Sequence, residues 1–137
     1  MRATRDTFLH FLADNLSGIT VHPIRKDTNR PDASKLAENA VNVQFLTQRH
    51  RVHIAELWVS IDVIHSEELT AVDWTQRVFD LLSSAFYTPK YDYTNPSSPQ
   101  ATGDNLYWQP EAVNFVPIDN DPHYMRFNCT MSLRTVL

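Results

Sequence analysis

The sequence predicts an α+β domain: a mixed, largely antiparallel β-sheet with two main helices packed on it and two long exposed loops. Three stretches predict it. In residues 51–65, Ala55, Leu57, Val59, Ile61 and Val63 alternate with Ile54, Glu56, Trp58, Ser60 and Asp62, so one face seeks a core and the other tolerates water. In residues 70–86 the period lengthens, because Ala71, Trp74, Val78, Leu81, Leu82 and Ala85 fall three or four apart, as a helix buried by one stripe requires. In residues 124–136, Met125, Phe127, Cys129, Met131 and Leu133 point one way and Arg126, Asn128, Thr130, Ser132 and Arg134 the other, a second half-buried strand.

The remaining elements follow in chain order. Residues 4–16 form a first helix, with Phe8, Phe11, Leu12 and Leu16 at helical spacing and Gly18 free to take the left-handed conformation that ends it. Residues 19–24 are β-branched at Ile19, Thr20 and Val21, but Pro23 has no amide to donate and favours a sheet edge or a strand end, a short edge strand at best. Residues 25–39 mix both charges around Pro31 without any period and read as an exposed loop. Loops longer than about 12 residues without structure of their own tend to be functional or disordered, and this one is a candidate for contact with another chain.

Alternation resumes over residues 40–46 through Val41, Val43 and Phe45, and the polar residues 47–50 turn that strand into the long one as an antiparallel hairpin. Ser66, Glu67 and Glu68 put negative charge ahead of the second helix, and Thr70 with Asp73 three residues on resembles a capping box. Residues 87–104 hold Pro89, Pro96 and Pro99 among polar residues and read as the second long loop. Residues 105–109, 112–118 and 124–136 complete the sheet, with turns at Pro110 and over residues 119–122.

Composition removes several function classes. A chain of 137 residues with 42% hydrophobic content supports one core, so residues 1–137 are expected to be a single domain. The net charge of −4 argues against a surface built for phosphate backbones, and no sequence-specific nucleic acid partner is expected. Gly18 and Gly103 are the only glycines, too few for a phosphate-cradling loop. The lone Cys129 suits a reducing compartment, and no apolar run is long enough to cross a bilayer, so no membrane is expected. The opening residues mix Arg2, Arg5, Asp6 and Asp14 with apolar ones, unlike a signal peptide.

No catalytic or metal constellation emerges, and no cofactor is expected. His50 and His53 are three apart in or beside a strand and point to opposite faces, which favours scattered surface histidine over a metal site. The run His65, Ser66, Glu67 and Glu68 is better read as a helix start than as a nucleophile–base cluster. Cys129 lies within an apolar stripe and reads as a buried structural thiol. Asp62 and Glu56 share a face and could be a general base and its neighbour, but carboxylates on such a face are expected to be simply solvated. Trp58, on the same face, fits solvent poorly and calls for cover by a helix or a neighbouring subunit. Tyr87, Tyr91, Tyr93, Tyr107 and Trp108 around the second loop suit a contact surface, or a loop folded over its own core edge.

The order is thus helix, short strand, charged loop, hairpin with a long strand, helix, proline-containing loop and antiparallel strands. With residues 4–16, ITVHPIRKD at 19–27, NAVNVQFL at 39–46 and the strand and helix of 51–86, this resembles the tail-terminator proteins of long-tailed bacteriophages, the minor tail protein U type. The likeness is one of pattern over nearly the full chain. It implies a non-enzymatic virion protein, assembled in the host cytoplasm, that forms a homohexameric ring, caps the tail tube protein, stops its polymerisation and meets the head–tail connector or neck protein. Under that implication Arg25, Lys26, Asp27 and Arg30 are the candidate subunit or tube contacts, with mixed charges to select register, and Trp58 is a second candidate for burial against an adjacent subunit. A neck or head-completion protein of similar size, or a small non-catalytic binding module, are the alternatives.

Overall fold

The structure, a computed structural model, describes residues 2–24, 36–119 and 123–136. Helix α1 (Arg2–Asn15) opens the chain. Its predicted stripe is the buried one, with Phe8, Leu12 and Leu16 in the core and Phe11 packed against it. Gly18 follows at φ 78°, where a side chain would be strained, and the chain then turns into strand β1 (Val21–Ile24). β1 pairs in parallel with β2 (Ala40–Arg51) and is the first strand of the sheet order, so the amide that Pro23 lacks breaks no ladder on its open side.

β2 and β3 (Ile54–His65) form the predicted antiparallel hairpin, but its turn lies elsewhere. The strand does not stop at residue 46; it runs through the polar residues 47–50, and the chain reverses at Val52 and His53. The register shifts between Phe45 and Gln48, and beyond that point both faces of β2 meet solvent. Polarity there marks a strand leaving the core, not a turn. Helix α2 (Glu68–Ser84) begins two residues before the expected start. Glu67 holds the N-cap position without a side-chain cap bond, and the Thr70 hydroxyl donates to Glu67 Oε2 at 3.2 Å, so the capping box of Thr70 and Asp73 does not form. Ala71, Val78 and Leu82 are fully buried, and the partly buried Trp74, Leu81 and Ala85 pack against the core.

The second long loop is corrected outright. Residues 87–92 and 100–107 are strands β4 (Tyr87–Asp92) and β5 (Gln100–Tyr107), an antiparallel hairpin. Pro89 is tolerated because β4 is the last strand of the order and its register shifts between Pro89 and Tyr91; Pro96 and Pro99 fall in the turn. The hairpin is fastened to α1. The Tyr91 amide donates to Thr7 Oγ1 at 3.0 Å, and Tyr93 stacks on His10 with ring centroids 4.0 Å apart. Of the strand expected at 112–118 only β6 (Val116–Pro117) forms, preceded by a 3-10 turn at Pro110–Ala112. The chain closes with β7 (Met125–Val136), paired along its whole length with β3.

The sheet order is β1-β2-β3-β7-β5-β4, with β6 beside β7. Among the described residues only β1 and β2 pair in parallel, so the sheet is mixed and mostly antiparallel, the predicted α+β class. Register places Val43, Ile61 and Cys129 on one face with Phe45, Val59 and Met131. Both helices pack there. Phe8 meets Phe45 and Trp108 edge-on, each at 6.4 Å, and Trp108 Nε1 donates to the Leu82 carbonyl at 2.8 Å, which satisfies the indole inside the core. The opposite face of β2, β3 and β7 carries no helix among the described residues.

Candidate assembly surface

That second face is built by the even-numbered residues of β3 and their neighbours. Ile54, Glu56, Trp58, Ser60, Asp62 and Ile64 pair with Val136, Arg134, Ser132, Thr130, Asn128 and Arg126 of β7. The expectation that Asp62 and Glu56 are solvated is overturned. Asp62 is 2% exposed, and its Oδ1 accepts from Arg126 Nε at 2.8 Å and from Asn128 Nδ2 at 3.0 Å. Asn128 Nδ2 also lies 2.8 Å from Ser60 Oγ. Asn42, fully buried next to Asp62, accepts the Ala37 amide at 2.7 Å and donates to the Ala37 carbonyl at 2.9 Å, so the chain just before β2 laps over this end of the sheet. Every charge here has a partner, as burial of a carboxylate demands.

At the other end the face is open. Trp58 is 38% exposed, and its indole Nε1 donates to Glu56 Oε1 at 3.0 Å. Glu56 in turn meets Arg134, with Oε2 and Nε 3.4 Å apart. The ring is therefore anchored by a buried carboxylate that is itself oriented by an arginine. Shallow depressions flank it, one reaching to Tyr107 and Gln109 and the other to Thr47 and Arg49. A rigid aromatic loses little conformational entropy on being covered, the usual property of an interface anchor.

Arg25, Lys26, Asp27 and Arg30 lie outside the described residues. Trp58 thus stands apart from them as the one predicted contact residue whose surroundings are defined.

The residues weighed for chemistry do not converge. His65 Nδ1 accepts the Glu67 amide at 3.0 Å and its ring meets Trp74 edge-on, while Ser66 Oγ and its amide both reach Asn39 Oδ1, so this run fixes the start of α2. Cys129 is 1% exposed, and burial pushes its thiol up from the ordinary value, which keeps it protonated and unreactive at neutral pH. His50 and His53 are exposed at the β2–β3 tip. Among the described residues no three of His, Cys, Asp or Glu gather as metal ligands, and no helix is long and apolar enough to cross a membrane.

No family model matches the chain, and no curated protein is similar to it in sequence.

The tyrosine-rich stretch proves to be mostly structural. Tyr91 and Tyr93 hold the β4–β5 hairpin on α1, where burial raises the Tyr93 hydroxyl's pKa, and Trp108 is in the core. Only Tyr87 and Tyr107, a cross-strand pair with centroids 6.3 Å apart, remain well exposed. The chain of contacts from Arg134 to Glu56 to Trp58, and the cluster around Asp62, were missed by the sequence reading. Each joins β3 to β7 across about 70 residues, and only the register of the two apolar stripes could have revealed them.

Proposed function

We propose that this protein is a structural subunit of a long-tailed phage virion, a tail terminator. It assembles in the host cytoplasm as a hexameric ring on the end of the tail tube, stops tube polymerisation and presents a face to the head–tail connector. The order of helix, edge strand, hairpin with a long strand, helix and antiparallel strands supports the class, with the β4–β5 hairpin in place of the expected second loop. The geometric observation that carries the assembly reading is the helix-free sheet face with Trp58 fixed at its open end. A subunit of a ring needs rigid, uncovered faces of this kind, and in this reading the protein performs no catalysis.

The test is the molar mass in solution, by light scattering coupled to size exclusion over a wide concentration range. A particle of six chains, or a monomer that becomes one on concentration, supports the reading and leads to binding assays with polymerised tail tube. A strict monomer that joins only a preformed tube or portal favours a neck or head-completion protein instead.

A further inference from the structure

Two exposed apolar patches of the described residues carry opposite charge. The first is the tip of the β2–β3 hairpin, where Val52 is 87% and Ile54 46% exposed beside Arg49 and Arg51. No Asp or Glu occurs in residues 40–55, and Glu56, opposite Arg49 across the hairpin, is paired with Arg134. The second is the solvent side of α2. Leu69, Val72, Gln76 and Phe79 are spaced three, four and three apart and so line one side of the helix, with Leu69, Val72 and Phe79 all exposed. Glu68, Asp73 and Asp80 flank that stripe. The only basic residue of α2, Arg77, is turned aside to donate to the Ser17 carbonyl at 2.7 Å. Helix α2 therefore has two apolar stripes, and only one has a partner among the described residues.

A chain cannot close this pair on itself. α2 begins three residues after β3 ends, while the tip sits at the start of that 12-residue strand, roughly 36 Å away at the rise of an extended chain. The acidic stripe also points away from the sheet, because the opposite stripe of α2 is packed on it. We propose that the β2–β3 tip of one copy docks on the solvent face of α2 of a second copy. Val52 and Ile54 cover Leu69, Val72 and Phe79, and Arg49 and Arg51 face Glu68, Asp73 and Asp80. The contact is heterologous, since a different patch is used on each side, and it propagates head to tail until rotation closes a ring. The contact stands on the two patches alone; its closure into a hexamer rests on the tail-terminator reading.

Charge exchange tests it. One variant carries Arg49→Glu and Arg51→Glu, a second Asp73→Lys and Asp80→Lys, and the self-association of each is measured by sedimentation velocity at low and high salt. Like charges set opposite each other weaken association by on the order of 100-fold, so each variant alone is expected to lose the oligomer of the parent chain. Mixing the two restores it, because each tip then finds a helix of opposite sign, and so does combining all four substitutions in one chain. All the altered residues are exposed, and restoration on mixing itself shows both variants folded. A defined oligomer of the parent chain that survives both exchanges overturns this contact and leaves the ring reading standing. Loss and restoration in an open-ended series of masses supports the contact and refutes the closed ring. A parent chain that remains monomeric at every concentration overturns the contact.

Discussion

The two faces of β3 put the same backbone to opposite uses. On the inner face Ala55, Leu57, Val59, Ile61 and Val63 are all fully buried, and all but Ala55 belong to one apolar core with residues of α1, α2, β2 and β7. On the outer face exposure runs from almost nil at Ile64 and Asp62 to about half at Ile54, and the residues are held by named polar partners. The inner face makes the fold through a non-directional effect that any well-filled set of apolar side chains supplies. The outer face is directional, and its contacts fix particular atoms in particular places. Only the second kind of surface has reason to place a half-exposed tryptophan at its open end.

Substitutions should separate the two faces, and the largest effect belongs inside. Leu57→Ala removes a fully buried side chain from the middle of the sheet and is expected to cost about 2–5 kcal/mol in urea unfolding, with no specific effect on association in the protein that remains folded. Next comes the closed end of the outer face. Arg126→Met leaves the Asp62 carboxylate buried without its cation, a loss of about 3 kcal/mol. The paired change with Asp62→Leu should recover much of it, since a buried ion pair replaced by apolar groups is often neutral. A double variant as unstable as the single one would mean that Asp62 does more than balance Arg126.

A smaller effect distinguishes the faces by pH. Burial raises the Cys129 thiol above its ordinary value of 9.0, so the unfolded chain releases this proton first. Its contribution to stability is complete below pH 9 and falls as pH rises towards the folded value. The urea midpoint of the parent chain should therefore drop between neutral pH and about pH 10 by more than that of Cys129→Ala. Equal slopes would place the thiol in contact with water.

How far the sequence was legible follows the same division. The inner stripes of β3, β7, α1 and α2 were readable because a period of two or of three to four residues is a local property; the β3 stripe is buried throughout, while Met125, Phe127, Phe11, Trp74, Leu81 and Ala85 of the others are only partly buried. Local signals failed where polarity had a non-local cause. Residues 47–50 are polar because β2 leaves the core, and residues 87–104 hold Pro89 in an edge strand, Pro96 and Pro99 in the hairpin turn, and Tyr91 and Tyr93 against α1. Asp62 looked like a solvated carboxylate because Arg126 and Asn128 are more than 60 residues distant in sequence. Trp58 stood out in the sequence as a poor fit for solvent, yet the carboxylate that holds it could be recognised only after Glu56 was seen to be buried.

The smallest effect on stability concerns that tryptophan and is the most informative about function. Trp58→Ala removes a side chain that is already 38% exposed and supports no other part of the core, so unfolding should shift by no more than about 1 kcal/mol. If the open end of the outer face is an interface, the same variant should lose association by far more than it loses stability, because a central aromatic anchor commonly carries 2 kcal/mol or more of binding, roughly 30-fold. Glu56→Gln refines the point. The amide oxygen still accepts the indole N–H while the charge facing Arg134 is gone, so association should survive if orientation of the ring is what matters. Should Glu56→Gln dissociate the oligomer as fully as Trp58→Ala, the Glu56–Arg134 pair itself would be the contact, and the ring only its neighbour.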